Sequence, residues 1–411
     1  MKKHLVIAGG GAAGFFCAVN AARMNPFLKV TIVEKSNKML SKVKVSGGGR
    51  CNVTHACFDI RKMSMQYPRG KNFVKKAFHR YFTDDTVKWF EERGVKLKTE
   101  ADGRMFPVTD SSQSVIDCLL KEVNRYGVEI MMNAEVKNVL NKENGFEIIL
   151  SDSRILIADY FCIACGGYPK SNMFDWIKDL GHTIEEPVAS LFTFNLARHP
   201  ITKLMGVSLE KVKVKIAGTS LAEQGPLLIT HWGLSGPVIL RLSAWGAKEL
   251  NATNYEFDIH VNWLYKLDYN DQRLKEMLSN CRDFYAAFKI FSYNFAELPQ
   301  RLWEFLLSAS GVTKEMRFAD LSKKMENIVV RNLIDYVISV KGKTTFKEEF
   351  VTAGGIKLSE VEVNTMMSKK VNNLFFAGEV LDVDGVTGGF NFQHAWTSGF
   401  IAAKAIAEIS G

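Results

Sequence analysis

The stretch that decides the fold is HLVIAGGGAAG, residues 4–14. An apolar run typical of a buried strand leads directly into glycines with the spacing G-x-G-x-x-G, and a small-residue helix is predicted from Ala12. Gly9 permits a tight turn, Gly11 lets a pyrophosphate approach the backbone, and Gly14 lets the helix lie close to its strand. Because a helix N-terminus carries partial positive charge and unpaired N–H groups, the turn predicts an anion site.

A second strand is predicted at Val30–Val33, and it ends in Glu34. The carboxylate follows Gly14 by twenty positions, where a dinucleotide-binding unit has the acid that accepts hydrogen bonds from the adenosine ribose. Strand, turn, helix, strand and acid come in the expected order, so we favour a dinucleotide site over an ordinary glycine-rich loop. The expected fold class is α/β, with a Rossmann-like domain at the start of the chain.

Length and composition fit a globular protein of two or three domains, with 411 residues of which 47% are hydrophobic. No apolar run matches the roughly 18 residues of a membrane span, and seven cysteines without framework spacing suit a reducing cytoplasm. The net charge of +9 permits an anionic partner. A basic cluster at residues 71–80 is interpreted as the solvated face of a helix predicted over Asn72–Arg93, and contact with nucleic acid is the alternative. A small-molecule substrate is therefore favoured over nucleic acid or a membrane.

A second glycine-rich stretch is SGGGRCN, residues 46–52. Its backbone donors, together with the cation of Arg50, suit a phosphate or the polar edge of a flavin, and the alternative is a surface loop. Cys51 is interpreted as a packing residue rather than a reactive thiol, because no resolving cysteine lies nearby in sequence.

Cys162 and Cys165 form a C-x-x-C in an apolar run that reads as a strand. Residues three apart on one strand point to opposite faces, with α-carbons about 10 Å apart, which is beyond disulfide reach. We therefore expect two packing residues and no redox pair. No helix carries metal-ligand spacing, so no metal site is predicted.

The middle of the chain reads as an insertion of different composition. Runs of alternating polarity predict an antiparallel sheet or small barrel over residues 191–263. Helices are predicted to dominate from Asp268 to Val340, including one at Leu321–Ser339. We expect three domains: a discontinuous cofactor domain of residues 1–189 and 345–411, a β-rich insert of residues 190–265 with 335–344, and a helical subdomain of residues 266–334.

The insertion contains THWGLSGP, residues 230–237. Its second glycine directly follows the serine, which differs from the spacing of a nucleophile elbow, so a hydrolase is not indicated. Ser235 is interpreted as part of a turn that caps the next helix. His231 is either a packed core histidine or a polar group that faces a site.

The end of the chain carries further signs of cofactor chemistry. A strand and turn are predicted from Phe350, and LFFAGEVLD, residues 374–382, reads as a buried strand ending in a glycine and acids. GGFN, residues 388–391, then opens a terminal helix. An acid at a strand end can hydrogen-bond polyol hydroxyls, and the positive end of a helix suits the flavin edge that gains negative charge on reduction.

Together with GRMFP, which reads as an irregular loop at residues 103–107, these motifs resemble the YhiN/BaiN-type flavoproteins. Members are described as NAD(P)/FAD-dependent oxidoreductases, and the likeness covers nearly the whole chain. The resemblance implies noncovalent FAD in a Rossmann-like domain built from both chain ends, with an inserted antiparallel β domain and a small helical domain covering the flavin. By analogy with related folds, it places Val136 by the adenine and Ala164–Gly166 by the pyrophosphate.

The motifs and the resemblance together predict one set of cofactor-binding residues. They are Gly9, Gly11, Ala12, Ala13, Gly14, Glu34, Lys35, Lys44, Ser46, Gly47, Gly48, Gly49, Arg50, Cys51, Asn52, Val136, Ala164, Gly166, Gly378, Glu379, Asp382, Gly388, Gly389, Phe390 and Asn391.

The leading hypothesis for function is hydride transfer between FAD and a small unsaturated ketone or amine. The electron partner stays open between NADH, NADPH and oxygen, because no second G-x-G-x-x-G follows a strand. His231 is the candidate acid or base, since histidine titrates near neutrality. His394 lies inside the terminal helix, and its alternative interpretation is a packing residue. The alternatives are a flavoprotein acting on RNA, as in tRNA modification, and a flavin-binding protein without turnover.

Overall fold

The structure is a computed structural model that describes residues 2–267, 269–344 and 351–411. These residues form two compact units, one made of residues up to 190 and from 351 onward, the other made of residues 191–344. The strand start predicted at Phe350, the helical region's start at Asp268 and the domain boundary at residue 345 lie outside the described residues. The finer division into three domains stays a prediction.

Twenty-two strands are present in the described part of the chain. They are β1 (His4–Ala8), β2 (Lys29–Val33), β3 (Thr54–His55), β4 (Leu97–Thr99), β5 (Arg104–Pro107), β6 (Glu129–Met131), β7 (Val136–Lys142), β8 (Gly145–Leu150), β9 (Ile155–Ala158), β10 (Tyr160–Ile163), β11 (Ile184–Ser190), β12 (Thr193–Asn195), β13 (Ser208–Ile216), β14 (Ala222–Ile229), β15 (Gly233–Ser235), β16 (Glu256–Asn262), β17 (Tyr336–Lys341), β18 (Lys343–Thr344), β19 (Val351–Ile356), β20 (Val361–Glu362), β21 (Met367–Ser368) and β22 (Leu374–Phe376).

The same residues contain thirteen α-helices, besides short 3-10 turns. They are α1 (Ala12–Met24), α2 (Ser41–Gly49), α3 (Ile60–Ser64), α4 (Lys71–Ala77), α5 (Thr83–Glu91), α6 (Gln113–Arg125), α7 (Asp175–Lys178), α8 (Pro237–Trp245), α9 (Ala247–Ala252), α10 (Asp271–Phe284), α11 (Gln300–Ala309), α12 (Lys323–Ile334) and α13 (Phe390–Ser410).

The first unit is built on a parallel sheet in the order β22-β10-β1-β2-β6, with β21 and β20 added antiparallel at one edge. The central strand β1 is buried from Leu5 to Ala8. Its last residue is in register with Val33 of β2 and with Ile163 of β10. Because these strands run in the same direction, their carboxyl ends meet at one edge of the sheet. The predicted α/β, Rossmann-like class is confirmed.

Small residues allow the helices of this unit to lie very close to their neighbours. A Cβ on Gly14 of α1 would stand 2.0 Å from the carbonyl oxygen of Gly9, directly after β1. A Cβ on Gly399 of α13 would stand 2.7 Å from the carbonyl oxygen of Ala13. Both distances are shorter than any tolerated contact, so only glycine permits this packing.

Two local predictions in the first unit are wrong. Residues 104–107 form β5, which pairs with β3 and β4, instead of an irregular loop. Its strand partners lie far away in sequence, so a local pattern could not reveal them. The helix predicted over Asn72–Arg93 is two helices, because the Asp85 carboxylate accepts from the backbone N–H of Phe82 and caps a new start at α5.

The second unit contains an antiparallel sheet in the order β17-β16-β13-β14-β15-β12-β18, as predicted for this region. The helix predicted over Leu321–Ser339 is too long, since α12 ends at Ile334 and β17 begins at Tyr336. The alternation of buried Ile338 and Val340 with exposed neighbours places that segment in the sheet. Across the described residues, no helix has the length and apolar content needed to span a membrane.

Candidate cofactor site

The glycine turn after β1 has the geometry that a bound anion needs. Gly9 has a φ of +117°, and a Cβ there would stand 2.3 Å from the carbonyl oxygen of Ala164, so this position requires glycine. Gly11 is the N-cap of α1, and no described atom lies within 4 Å of the point where its Cβ would be. The first turn of α1, with Ala12 and Ala13, is therefore approachable over Gly11 by a phosphate group.

Glu34 directly follows β2 and connects that strand to the glycine turn by a hydrogen bond. Its Oε2 atom accepts a hydrogen bond from the Gly10 N–H at 2.8 Å, and its Oε1 atom accepts from the N–H and hydroxyl of Ser36 at 2.9 and 2.8 Å. A carboxylate has about four lone-pair positions, so three bonds leave capacity for a ribose hydroxyl. The next residue, Lys35, lies with its Nζ atom 5.4 Å from the ring centre of Tyr168.

The carboxyl ends of β10 and β22 lie at the same edge of the parallel sheet as the carboxyl end of β1. Ala164 donates from its N–H to the carbonyl oxygen of Ala8 at 2.8 Å. Gly378 has a φ of +76°, and a Cβ there would stand 2.7 Å from the Cβ of Ala13 in α1. Gly166 lies close to Glu379, whose Oε2 atom is 3.9 Å from the position of a Cβ at that glycine. The segments after β1, β10 and β22 thus lie side by side.

Glu379 accepts hydrogen bonds from two segments that are far apart in sequence. It accepts from the backbone N–H of Thr352 at 2.9 Å and from the ammonium group of Lys42 at 2.5 Å. The contact with Lys42 brings α2, which includes the glycines 47–49, to the edge of the parallel sheet. Glu379 is 18% exposed at its side chain, so this ion pair is partly shielded from water.

The stretch of residues 46–52 forms a left-handed turn at the end of α2. Gly47, Gly48 and Gly49 have φ values of +59°, +70° and +85°, and Cys51 has +63°. A Cβ on Gly47 would stand 2.7 Å from the ring of Phe106, whereas Gly48 and Gly49 have no described atom within 4 Å of that position. The backbone of the last two glycines is therefore accessible, and that of Gly47 is packed.

Arg50 does not act as an unpaired cation. Its guanidinium donates to Glu100 at 2.6 Å and lies 4.0 Å from the ring centre of Phe106. Cys51 is fully buried, and burial raises the pKa of its thiol to about 12. The thiolate is absent at neutral pH, which supports the packing interpretation.

Residues 388–391 join α13 to this turn. Asn52 accepts from the Gly389 N–H and donates to the carbonyl oxygen of Thr54, both at 2.9 Å, in the amide orientation that satisfies both groups. Asn391 uses both ends of its amide on the backbone of Gly385, at 2.8 and 2.9 Å. Phe390 is buried and stacks on His55, with ring centres 4.7 Å apart. Asn391 and Phe390 therefore shape the loop with their side chains.

One part of the cysteine prediction is wrong. Cys162 lies in β10, but the strand ends at Ile163 and Cys165 lies beyond it. Both are free thiols, and the Sγ atom of Cys162 is 3.9 Å from that of Cys17 in α1. The hydrogen bond with Cys17 and burial raise the pKa of Cys162, and burial raises the pKa of Cys165 to about 11. Cys162 is buried between α1 and the sheet, whereas Cys165 is half-buried beyond the end of the strand.

A family model supports what the glycine turn, the strand order and the acid after β2 indicate. The HI0933-like protein Rossmann domain matches residues 3–405. The chain belongs to the HI0933-like family. This assignment confirms the resemblance and the expected class, a flavoprotein oxidoreductase with a Rossmann-like domain.

Curated relatives resemble this HI0933-like chain over nearly its full length. A 3-dehydro-bile acid delta(4,6)-reductase from Clostridium scindens is 28% identical over 98% of both chains. A ribosomal RNA dihydrouridine synthase from Haemophilus influenzae is also 28% identical over 98% of both, and one from Escherichia coli is 28% identical over 97% of this chain and 96% of its own length. The relatives therefore include enzymes for a small molecule and for RNA.

Solved structures show the fold at lower identity. A 3-ketosteroid delta1-dehydrogenase from Sterolibacterium denitrificans has a TM-score of 0.53 at 11% identity, and covers 98% of this chain and 99% of its own. A quinol fumarate reductase chain from E. coli has a TM-score of 0.51 at 14% identity, and covers 100% of this chain and 70% of its own. Both likenesses concern the fold alone.

Sequence reasoning missed a buried ion pair beside the predicted acid Asp382. The carboxylate of Asp384 is fully buried, pairs with the guanidinium of Arg69 and accepts from the hydroxyl of Ser190 at 2.7 Å. Burial raises the pKa of Asp384, and Arg69 opposes this rise. The signal available was the second acid in the run LDVDG at residues 381–385.

Two further predicted cofactor residues, Val136 and Lys44, and the alternative histidine, His394, lie in regular secondary structure. Val136 is the first residue of β7, and Lys44 lies exposed in α2, where its carbonyl oxygen accepts from the hydroxyl of Ser112. His394 is fully buried in α13, its Nε2 atom lies 3.2 Å from the carbonyl oxygen of Gly378, and burial lowers its pKa to about 4.

The catalytic candidate His231 belongs to the second unit. It is exposed, with its ring edge against Trp232 at 4.3 Å between centres, so its interpretation as a packed core histidine is wrong. Ser235 ends β15, and Gly236 is the N-cap of α8, so the interpretation of Ser235 as part of a turn that caps this helix is also wrong. Among the described residues, no group of three or more His, Cys, Asp or Glu side chains could hold a metal ion.

Proposed function

We propose that the chain binds one FAD noncovalently in its first unit and uses it to reduce a carbon–carbon double bond conjugated with a carbonyl group. The observation that carries the proposal is the meeting of four separate segments at the carboxyl ends of the parallel strands. These segments are the glycine turn after β1, Glu34 after β2, Ala164–Gly166 after β10 and Gly378 after β22. In doubly wound sheets, this edge is where dinucleotides bind.

The names of the curated relatives support the reaction type. A delta(4,6)-reductase of a 3-dehydro-bile acid acts on carbon–carbon double bonds of a ketone. Dihydrouridine is uridine with one ring carbon–carbon double bond reduced, and in uridine that bond is conjugated with a carbonyl. Both names describe the addition of two electrons and two protons to an electron-poor double bond.

Residues of the glycine turn, of α1 and of α13 would hold the cofactor. Open backbone at Gly11 and the start of α1 would bind the pyrophosphate, and the free lone pair of Glu34 would bind the ribose. The start of α13, with Gly389 as its N-cap, provides a positive helix end for a region of negative charge. When bound and reduced by NADH or NADPH, the flavin would supply the hydride, and the protein would supply orientation and electrostatics.

The reduction also needs a proton for the second carbon of the double bond. We propose His231 as its donor, since the imidazole is exposed and the ring is held at one edge by Trp232. His231→Gln should retain FAD while turnover falls by roughly a hundredfold, the lower end of the effect of one positioned acid or base. The matched control is His260→Gln, a half-buried histidine of the second unit that pairs with Asp335 at 2.7 Å. Unchanged turnover and pH profile in His231→Gln would assign the proton to another group.

The direct test of the proposed function is an anaerobic cycle. Heat should release FAD from the purified protein, and NADH or NADPH should bleach the flavin absorbance of the native protein. Adding a conjugated cyclic ketone or a uridine-containing RNA should then restore the absorbance with one saturated product per flavin. A flavin that reoxidises with oxygen alone and with neither acceptor would refute the proposed reaction, and reduction by a small amine would favour an oxidase.

RNA is the second candidate substrate class within this reaction. Two of the curated relatives carry ribosomal RNA in their names, and the chain has a net charge of +9. Both observations favour an RNA-bound uridine as an acceptor to be compared with the small ketone.

A further inference from the structure

A pocket of about 1090 Å³ lies on the first unit, and none of the residues that line it is a predicted cofactor residue. One wall is formed by residues 68–80, which include α4, and the other by residues 358–369. Four cationic side chains line it, with one histidine and one carboxylate. They are Lys71, Lys76, Arg80 and Lys369, with His79 and Glu362. We call this pocket the basic groove.

The positive charge of the basic groove is largely available to a ligand. Lys71, Lys76 and Lys369 are exposed, and within the described residues no carboxylate lies within 4.0 Å of their ammonium nitrogens. Glu360, on the same wall, already pairs with Lys370 at 2.6 Å. The groove therefore carries four cations against the single carboxylate of Glu362, which is the charge balance of an anion site.

One hydrogen bond connects the two walls of the groove, and another lies within the second wall. Arg80 donates to the side-chain oxygen of Asn364 at 3.1 Å, from one wall to the other. Lys369 donates to the carbonyl oxygen of Ser359 at 3.1 Å within the second wall. Phe73, which is buried, contributes apolar surface to the lining. Lysines spread along two walls suit several phosphates better than one.

We propose that the basic groove binds the phosphodiester backbone of RNA. Lysines are point charges that neutralise successive phosphates without reading sequence, and the amides of Asn72 and Asn364 add hydrogen-bonding groups to the lining. The volume is larger than a single phosphate needs, and the lining is more charged than that of most small-molecule pockets. The large exposed apolar side chains of the described chain lie elsewhere, so the groove offers no anchor for a membrane.

The groove adjoins the loop that carries the predicted cofactor acid. A Cβ on Gly70, in the groove wall, would stand 3.2 Å from the carbonyl oxygen of Asp382 and 2.6 Å from the side chain of Val383. The neighbouring Arg69 pairs with the buried Asp384. A strand held in the groove would therefore run next to this loop. The inference rests on the proposed function, because it selects RNA as the class of substrate.

The test compares two double variants that lose the same charge. Lys71→Gln/Lys76→Gln removes two groove cations, and Lys323→Gln/Lys324→Gln removes two exposed cations at the start of α12 in the second unit. Binding of the full-length, FAD-loaded protein to a labelled uridine-rich RNA is followed by fluorescence anisotropy at several salt concentrations. The groove variant should bind at least about tenfold more weakly, and its slope of log affinity against log salt should fall by about 1.4 for two lost phosphate contacts. The control should match the wild type.

Three results would overturn the inference. The first is that the wild type does not bind RNA at low salt. The second is that RNA affinity falls equally in both double variants. The third is that the groove variant loses binding to phosphatidylglycerol vesicles while its RNA affinity is unchanged. The last result would assign the groove to a lipid surface. Melting temperature, FAD content and anaerobic ketone reduction of each variant are measured in parallel. Retained FAD and ketone turnover without RNA binding would refute this inference alone, whereas absence of FAD and turnover in the wild type would refute the proposed function.

Discussion

Single carboxylates in this protein hold the fold together at the place where a ligand is proposed to bind. Glu34 accepts three hydrogen bonds from Gly10 and Ser36, and Glu379 joins Thr352 to Lys42. The sequence identified both acids through their position after a strand. It could not show their protein partners, because these depend on how the loops close around the sheet edge.

Glu34→Ala removes the proposed ribose acceptor. A lost hydrogen bond to a charged group costs about 1.5–3 kcal/mol, so FAD affinity should fall roughly tenfold to a hundredfold. Isothermal titration of the apoprotein with FAD measures this change. Ser36→Ala serves as the control, because its hydroxyl contacts Glu34 and is not proposed to touch the ribose. Equal affinity of Glu34→Ala and wild type would show that the ribose binds elsewhere.

His394 should make the protein less stable in mild acid. Its folded-state pKa of about 4 lies below the ordinary value of 6.5, so the unfolded chain takes up a proton first as the pH falls. The stability from the neutral buried ring is complete above pH 6.5 and is lost between 6.5 and 4. The slope is about 1.4 kcal/mol per pH unit, and His394→Gln should remove it. Urea unfolding at pH 7 and pH 5 tests this, with the exposed His231→Gln as the control; an unchanged slope in His394→Gln would contradict the assignment.

At the scale of elements, local pattern predicted structure well where an element is defined by its own residues. The strand His4–Ala8 and the helix from Ala12 are found at the predicted positions. The prediction of secondary structure failed where pairing with strands distant in sequence determines the conformation. Arg104–Pro107 is a strand because β3 and β4 pair with it, and Tyr336–Lys341 leaves the helical pattern because β16 pairs with it.

Gly14→Ala tests the close packing of α1 on the end of β1. Alanine favours a free helix over glycine by about 1 kcal/mol, but here its Cβ would meet a backbone oxygen at 2.0 Å. Overpacking of this kind costs about 1–3 kcal/mol, so the free energy of unfolding should fall. Gly11→Ala is the matched control, since its Cβ meets no described atom within 4 Å. Thermal unfolding of both apoproteins measures the difference, and a Gly14→Ala variant as stable as Gly11→Ala would contradict the packing argument.

At the scale of the whole molecule, the candidate site is assembled from parts of the chain that are far apart in sequence. Residues 4–8, 160–163 and 374–376 form adjacent parallel strands. Periodicity predicted each strand, and the family resemblance implied one domain built from both chain ends, but neither predicted the order of the strands. The sequence identified the basic residues of one groove wall, at positions 71–80. The second wall and the pair of Arg69 and Asp384 were not predicted, because both depend on segments brought together by folding.

The central claim is that the glycine turn of the first unit holds FAD, and an equilibrium titration tests it most directly. Apoprotein of the wild type and of Gly11→Ala is titrated with FAD while flavin fluorescence is recorded. We expect one FAD per wild-type chain, and an affinity lower by roughly tenfold to a hundredfold in the variant, because a methyl group on Gly11 displaces the pyrophosphate from backbone donors. The variant should unfold at the wild-type temperature. Failure of the wild type to bind FAD, or equal affinity in the two proteins, would contradict the account.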